Sequence, residues 1–75
     1  MSQMTQYEIE GLWVEKRLAV AYHFDDAVRF KSGEHAGETG RIVALFTLEP
    51  FPTYVIEFPG GTSGVAVEPD LERAV

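Results

Sequence analysis

Seventy-five residues with six Lys/Arg against twelve Asp/Glu make one small domain of formal charge −6, the wrong field for a protein that must neutralise phosphates. The absence of cysteine excludes disulfide staples, thiolate metal sites and thiol nucleophiles together. No apolar run approaches the ~20 residues that span a bilayer.

The acidity is spread along the chain: residues 1–30 carry three basic and five acidic side chains, residues 31–75 three and seven. No basic tail is hidden in the average. Met1 to Glu8 has neither the basic start nor the apolar centre of a signal peptide, so a cytoplasmic protein is expected. Nine aromatics offer large burial per residue for a core.

In chain order, the even positions Leu12, Val14, Lys16, Leu18, Val20, Tyr22 and Phe24, apolar but for Lys16, alternate with Trp13 and the polar or small Glu15, Arg17, Ala19, Ala21 and His23. That period of two predicts one half-buried strand or two short ones over 12–24. A helix competes at the start, because Thr5-Gln6-Tyr7-Glu8 matches a capping box. Gly11 would then fall inside that helix, and strand is preferred for 12–18 as well as 19–24. Asp25-Asp26 reads as a turn.

Val28 and Phe30 resume the alternation. Residues 32–40 form a hinge punctuated by Gly33, Gly37 and Gly40, and residues 41–48 are apolar at nearly every position. Here Ile42, Ala44, Phe46 and Leu48 should share one face, with Val43 and Leu45 on the other, as in a central or covered strand. Glu49-Pro50-Phe51-Pro52-Thr53 must be a loop, because two prolines remove ladder donors. Tyr54 to Phe58 is a strand with Tyr54, Ile56 and Phe58 pointing one way. Pro59-Gly60-Gly61-Thr62-Ser63 is a hairpin turn, lacking the lysine of a phosphate loop. Gly64 to Val67 returns as a strand. One turn of 3-10 helix is expected near residues 69–72, then a last edge strand over 73–75. The fold class is all-β: a small barrel or strongly bent sheet of five or six short antiparallel strands.

The residues Asp26-Ala27-Val28-Arg29-Phe30-Lys31-Ser32-Gly33, with Gly37-Glu38-Thr39-Gly40-Arg41-Ile42-Val43, resemble the strand–loop–strand of the KOW motif. Residues 54–58, the glycine turn and residues 67–72 resemble the remainder of the SH3-like barrel in which KOW units lie. The order is also similar to the small SH3-like subunits of photosynthetic electron transfer, photosystem I subunit IV and the variable chain of ferredoxin–thioredoxin reductase. The likeness covers residues 26–75 and leaves 1–25 as a covering segment. It implies an SH3-like barrel. RNA binding does not carry over, because Glu34 and Glu38 occupy the loop that is usually basic in RNA-binding KOW units.

The candidate sites follow from the loops. Phe51 between Pro50 and Pro52, with Tyr54 and Phe46 nearby, is an aromatic presented on a stiff loop at low entropic cost. His35, Glu34 and Glu38 make a second candidate on the hinge, where an imidazole could donate to a partner. His23, Asp25, Asp26 and a distant His35 form no recognised metal spacing, and no cofactor is implied. Ser2, Ser32 and Ser63 sit in no nucleophile elbow, so no catalytic constellation is expected. The expectation is a non-enzymatic protein-binding module or accessory subunit, with a partner of basic character. A nucleic-acid module using Arg29, Lys31 and Arg41, and an acidic self-associating or inhibitor-type protein, stand as alternatives; a homodimer fits the last. Tyr7 and Trp13 either cover the barrel or pair with a second copy.

Overall fold

The structure, a computed structural model, describes residues 5–74. Met1–Met4 and Val75, assigned by the sequence reading to the covering segment and the last strand, lie outside the described residues. The elements are α1 (Gln6–Val14), β1 (Ala27–Phe30), β2 (Thr39–Thr47), β3 (Thr53–Glu57), β4 (Ser63–Val67), a 3-10 turn (Glu68–Asp70) and β5 (Leu71–Arg73). The strands form one antiparallel sheet in the order β4-β3-β2-β1-β5. The all-β expectation holds, with the helical alternative realised at the N-terminus. The 3-10 turn comes one position earlier than expected, and β5 lies over 71–73 rather than 73–75.

Strand over residues 12–24 was the wrong choice. Thr5 caps α1: its side chain accepts from the Glu8 N–H while the Glu8 carboxylate accepts from the Thr5 N–H, which satisfies orphan donors at both ends of the box. Gly11 has open space around it, so its cost is only the ~1 kcal/mol of glycine's intrinsic propensity. On the inner side of the helix, Trp13 is buried and Ile9 packs against the core. Residues 15–26 form no strand. Their alternation is real, since Tyr22 is buried and Leu18 and Val20 pack against the core, but the N–H groups of Ala21, Tyr22 and His23 donate to side chains rather than to a ladder.

The core comprises Trp13, Tyr22, Val28, Phe30, Ile42, Leu45, Tyr54, Ile56, Phe58, Ala66 and Leu71. Across the sheet, Leu45, Tyr54 and Ala66 make one inward row, and Ala44, Val55 and Val65 the adjacent outward row. The expected faces of β2 are broken by register shifts between Ile42 and Ala44 and between Leu45 and Thr47. Such a bulge adds a residue to one strand and re-aims those beyond it. Ile42 and Leu45 therefore both point inward, and Phe46 is exposed.

Two features set the hinge. Gly33 and Gly37 hold φ of +89° and +88°, the left-handed region that side chains resist. Gly40 is used differently: it lies in β2, where a Cβ would fall 2.7 Å from the Glu57 carbonyl oxygen. The hinge is closed by the Phe30 N–H donating to Glu38 O and the Gly37 N–H donating to Phe30 O.

Candidate functional site

Phe46 and Phe51 flank the connection between β2 and β3, at 60% and 51% exposure. The connection is tethered at several points. The Thr47 hydroxyl donates to Glu49 O and accepts from the Glu49 N–H, the Thr53 hydroxyl donates to Phe51 O at 2.9 Å, and the Glu68 N–H donates to Pro52 O at 2.8 Å. Phe46 at the end of β2 and Phe51 on the short, braced loop are thus held in the open, and ordering them on contact costs little. Leu48, between them, packs against the core.

Tyr54 does not join them. It is fully buried, with Ile56 and Phe58 on the core face. Its ring meets Tyr22 edge-on at 5.7 Å, and its hydroxyl donates to Glu68 Oε2 at 2.6 Å while accepting from the Tyr22 N–H at 3.4 Å. Around this bond the irregular N-terminal segment is fastened. The Ala21 N–H donates to the same Glu68 oxygen, Trp13 Nε1 donates to Tyr22 O, the Tyr22 hydroxyl donates to Leu71 O, and Arg73 donates to Ala21 O. Burial and then the Glu68 hydrogen bond push the Tyr54 phenol well above its ordinary value of 10.0. Burial also raises Tyr22, against the opposing pull of Arg73. Tyr54 is a structural clamp.

The hinge residues form a separate group. The His35 ring lies 5.5 Å from Phe30 and 4.9 Å from Phe58, and its Nδ1 is 2.9 Å from Glu38 Oε2. His35 thereby plugs the end of the core with a half-buried imidazole tied to a carboxylate. Glu34 stays exposed. Phe58 follows β3 and Phe51 precedes it, so the two candidate groups stand about one strand length apart, ~17 Å for five residues. The hinge does not line the Phe51 loop. It borders a shallow cleft of about 230 Å³ with Val65, Ala66 and Asp70.

His23, Asp25 and Asp26 form a turn in which the His23 N–H donates to the Asp26 carboxylate. Among the described residues, no three His, Asp or Glu side chains converge as metal ligands. The arginines are committed to carboxylates: Arg17 to Glu15, Arg29 to Glu72, Arg41 to Asp25 and Arg73 to Asp26, at 3.4–3.7 Å.

Two exposed features escaped the sequence reading. Phe24 is 58% exposed on the turn before β1, and Val65 is 56% exposed on β4. The second was legible in principle, since Val65 falls between Gly64 and Ala66 on a strand whose other face is core. No protein-family model, curated protein or solved structure gives a significant match to the chain.

Proposed function

We propose that this chain is a non-enzymatic protein-binding module or accessory subunit of the cytoplasm, built on an SH3-like barrel, with the Phe46–Phe51 end as its working surface. The observation that carries the reading is the pair of large aromatics left exposed, Phe46 at the end of β2 and Phe51 on the adjoining loop, which four hydrogen bonds brace. Aromatic residues, phenylalanine among them, are enriched at protein interfaces and bury a large area per residue there. The strand order, with a 3-10 turn leading into the strand that returns to β1, supports the barrel assignment. The formal charge of −6 and Glu49 beside the aromatics favour a basic partner through electrostatic steering.

Nucleic-acid binding draws less support. Phosphate contacts need available cations, and Arg29 and Arg41 already face Glu72 and Asp25. The test is affinity capture from cell extract, comparing the parent chain with Phe46→Ser, Phe51→Ser and the double variant. Captured protein should fall at least tenfold in the double variant while its melting temperature is retained. Equal capture by parent and double variant rejects this surface. A parallel titration with RNA at two salt concentrations should give no micromolar binding at physiological salt.

A further inference from the structure

One edge of the sheet is left open in an unusual way. The pairing of β3 with β4 is anchored at both ends by hydrogen bonds, the Phe58 N–H to Thr62 O and the Glu68 N–H to Pro52 O. In an antiparallel ladder, bonded and non-bonded pairs alternate. With Ile56 opposite Gly64 and Tyr54 opposite Ala66, those two pairs carry the bonds. The N–H and C=O groups of Ser63, Val65 and Val67 therefore point away from β3. β4 is the terminal strand of the sheet, and no other backbone bond uses these groups among the described residues.

Natural edges are normally blunted with lysine, proline or a bulge. Ser63-Gly64-Val65-Ala66-Val67 has none of these and no charge. The opposite edge, β5, is three residues long and carries Glu72 and Arg73. The two edges are managed differently.

We propose that β4 pairs with β4 of a second copy of this chain, antiparallel and centred on Val65, to make a continuous ten-stranded sheet across a two-fold axis. The second copy fits because the open groups are self-complementary. Residues 63, 65 and 67 lie symmetrically about Val65, so an antiparallel copy sets Val65 against Val65 and Ser63 against Val67. Every outward donor then finds an acceptor in a single register, as an isologous interface requires. The seam is free of charge, so a chain of net charge −6 meets no like charges in direct opposition there. The outward row Ala44–Val55–Val65 continues across the axis and covers Val65. Gly64 and Ala66, on the other face, are small enough to let the strand settle beside the hinge cleft. Five residues a side is small beside the ~20–30 of a standard interface, so the dimer is reversible and forms in the micromolar range. It does not rest on the Phe46–Phe51 reading, since it uses the opposite side of β3.

Sedimentation equilibrium on the intact chain tests this between low and high micromolar concentration. The parent should move from its monomer mass of 8.4 kDa toward twice that value, with tighter association as salt screens the net charge. Val65→Pro removes one outward donor, and Val65→Lys sets two like charges against each other while leaving the backbone intact. Each should weaken association at least tenfold, and Val65→Lys should keep the parent's circular dichroism and melting temperature. Tyr7→Ser with Val14→Ser, on the open face of α1, should leave association unchanged. A parent that stays monomeric throughout overturns the proposal. So does a dimer that survives Val65→Lys or is broken by the α1 variant, as does a monomer that takes up only a foreign extended peptide at β4.

Discussion

Replacing Tyr54 by phenylalanine isolates one hydroxyl in an otherwise unchanged ring. That hydroxyl donates to Glu68 at 2.6 Å and accepts from the Tyr22 N–H at 3.4 Å. Hydrogen bonds to ionised groups contribute about 1.5–3 kcal/mol. The Glu68 bond is only part-buried, so water can replace it in part, and the Tyr22 bond is long. A loss of about 2 kcal/mol follows, against a total stability of roughly 4–11 kcal/mol for a domain of this size. At ~4–8 °C per kcal/mol, the melting temperature should drop about 8–16 °C. Urea unfolding followed by Trp13 fluorescence is the assay, since Trp13 is the sole tryptophan and sits at the fastened seam. Glu68→Gln completes a double-mutant cycle with a coupling of about 1–2 kcal/mol. A loss under ~0.5 kcal/mol, or an equal loss once Glu68 is already Gln, refutes the clamp.

The same clamp fixes the alkaline limb of stability. Tyr54 and Tyr22 both have phenols raised above 10.0 in the fold, so the native state holds its protons more tightly than the unfolded chain. Their contribution is complete below pH ~10 and declines as pH rises through the folded values; in Tyr54→Phe that decline should be shallower. Gly40→Ala should cost about 1–3 kcal/mol by overpacking, because the new Cβ would lie 2.5 Å from Ile56 Cγ2 and 2.7 Å from Glu57 O; thermal melts measure it. Gly11→Ala, in a helix and facing open space, should stabilise by ~1 kcal/mol and raise the melting temperature.

The sheet was readable because its signals are local. Pro50 and Pro52 forced the loop between β2 and β3, Gly33 and Gly37 marked the hinge, and Tyr54, Ile56 and Phe58 announced the core face of β3. That last pattern already contradicted the use of Tyr54 as a surface contact. The helix competed from its capping box and lost to the penalty of Gly11, which the burial of Trp13 on its inner side offsets. Residues 18–22 alternate like a strand because one side faces the core, though Phe24 at the end of the row does not, yet a strand also needs a neighbouring ladder, and sequence periodicity carries no record of that. The bulges in β2 depend on pairing with β3, so the exposure of Phe46 could not be read from β2 alone. The open edge of β4 needed the strand order and the parity of its bonds.

The return of β5 to β1 orders the folding reaction. β2, β3 and β4 are successive hairpins whose contacts close short loops, whereas the Tyr22–Leu71 bond joins residues 49 apart and must wait for a costly closure. The three-stranded meander should therefore be formed in the transition state, with high φ-values at Ile56 and low ones at Tyr22 and Leu71. Contacts made last are released first, so the N-terminal segment is the lowest-barrier opening in the molecule. Amide exchange at Ala21 and Tyr22 should outpace that of β3 while the meander stays closed.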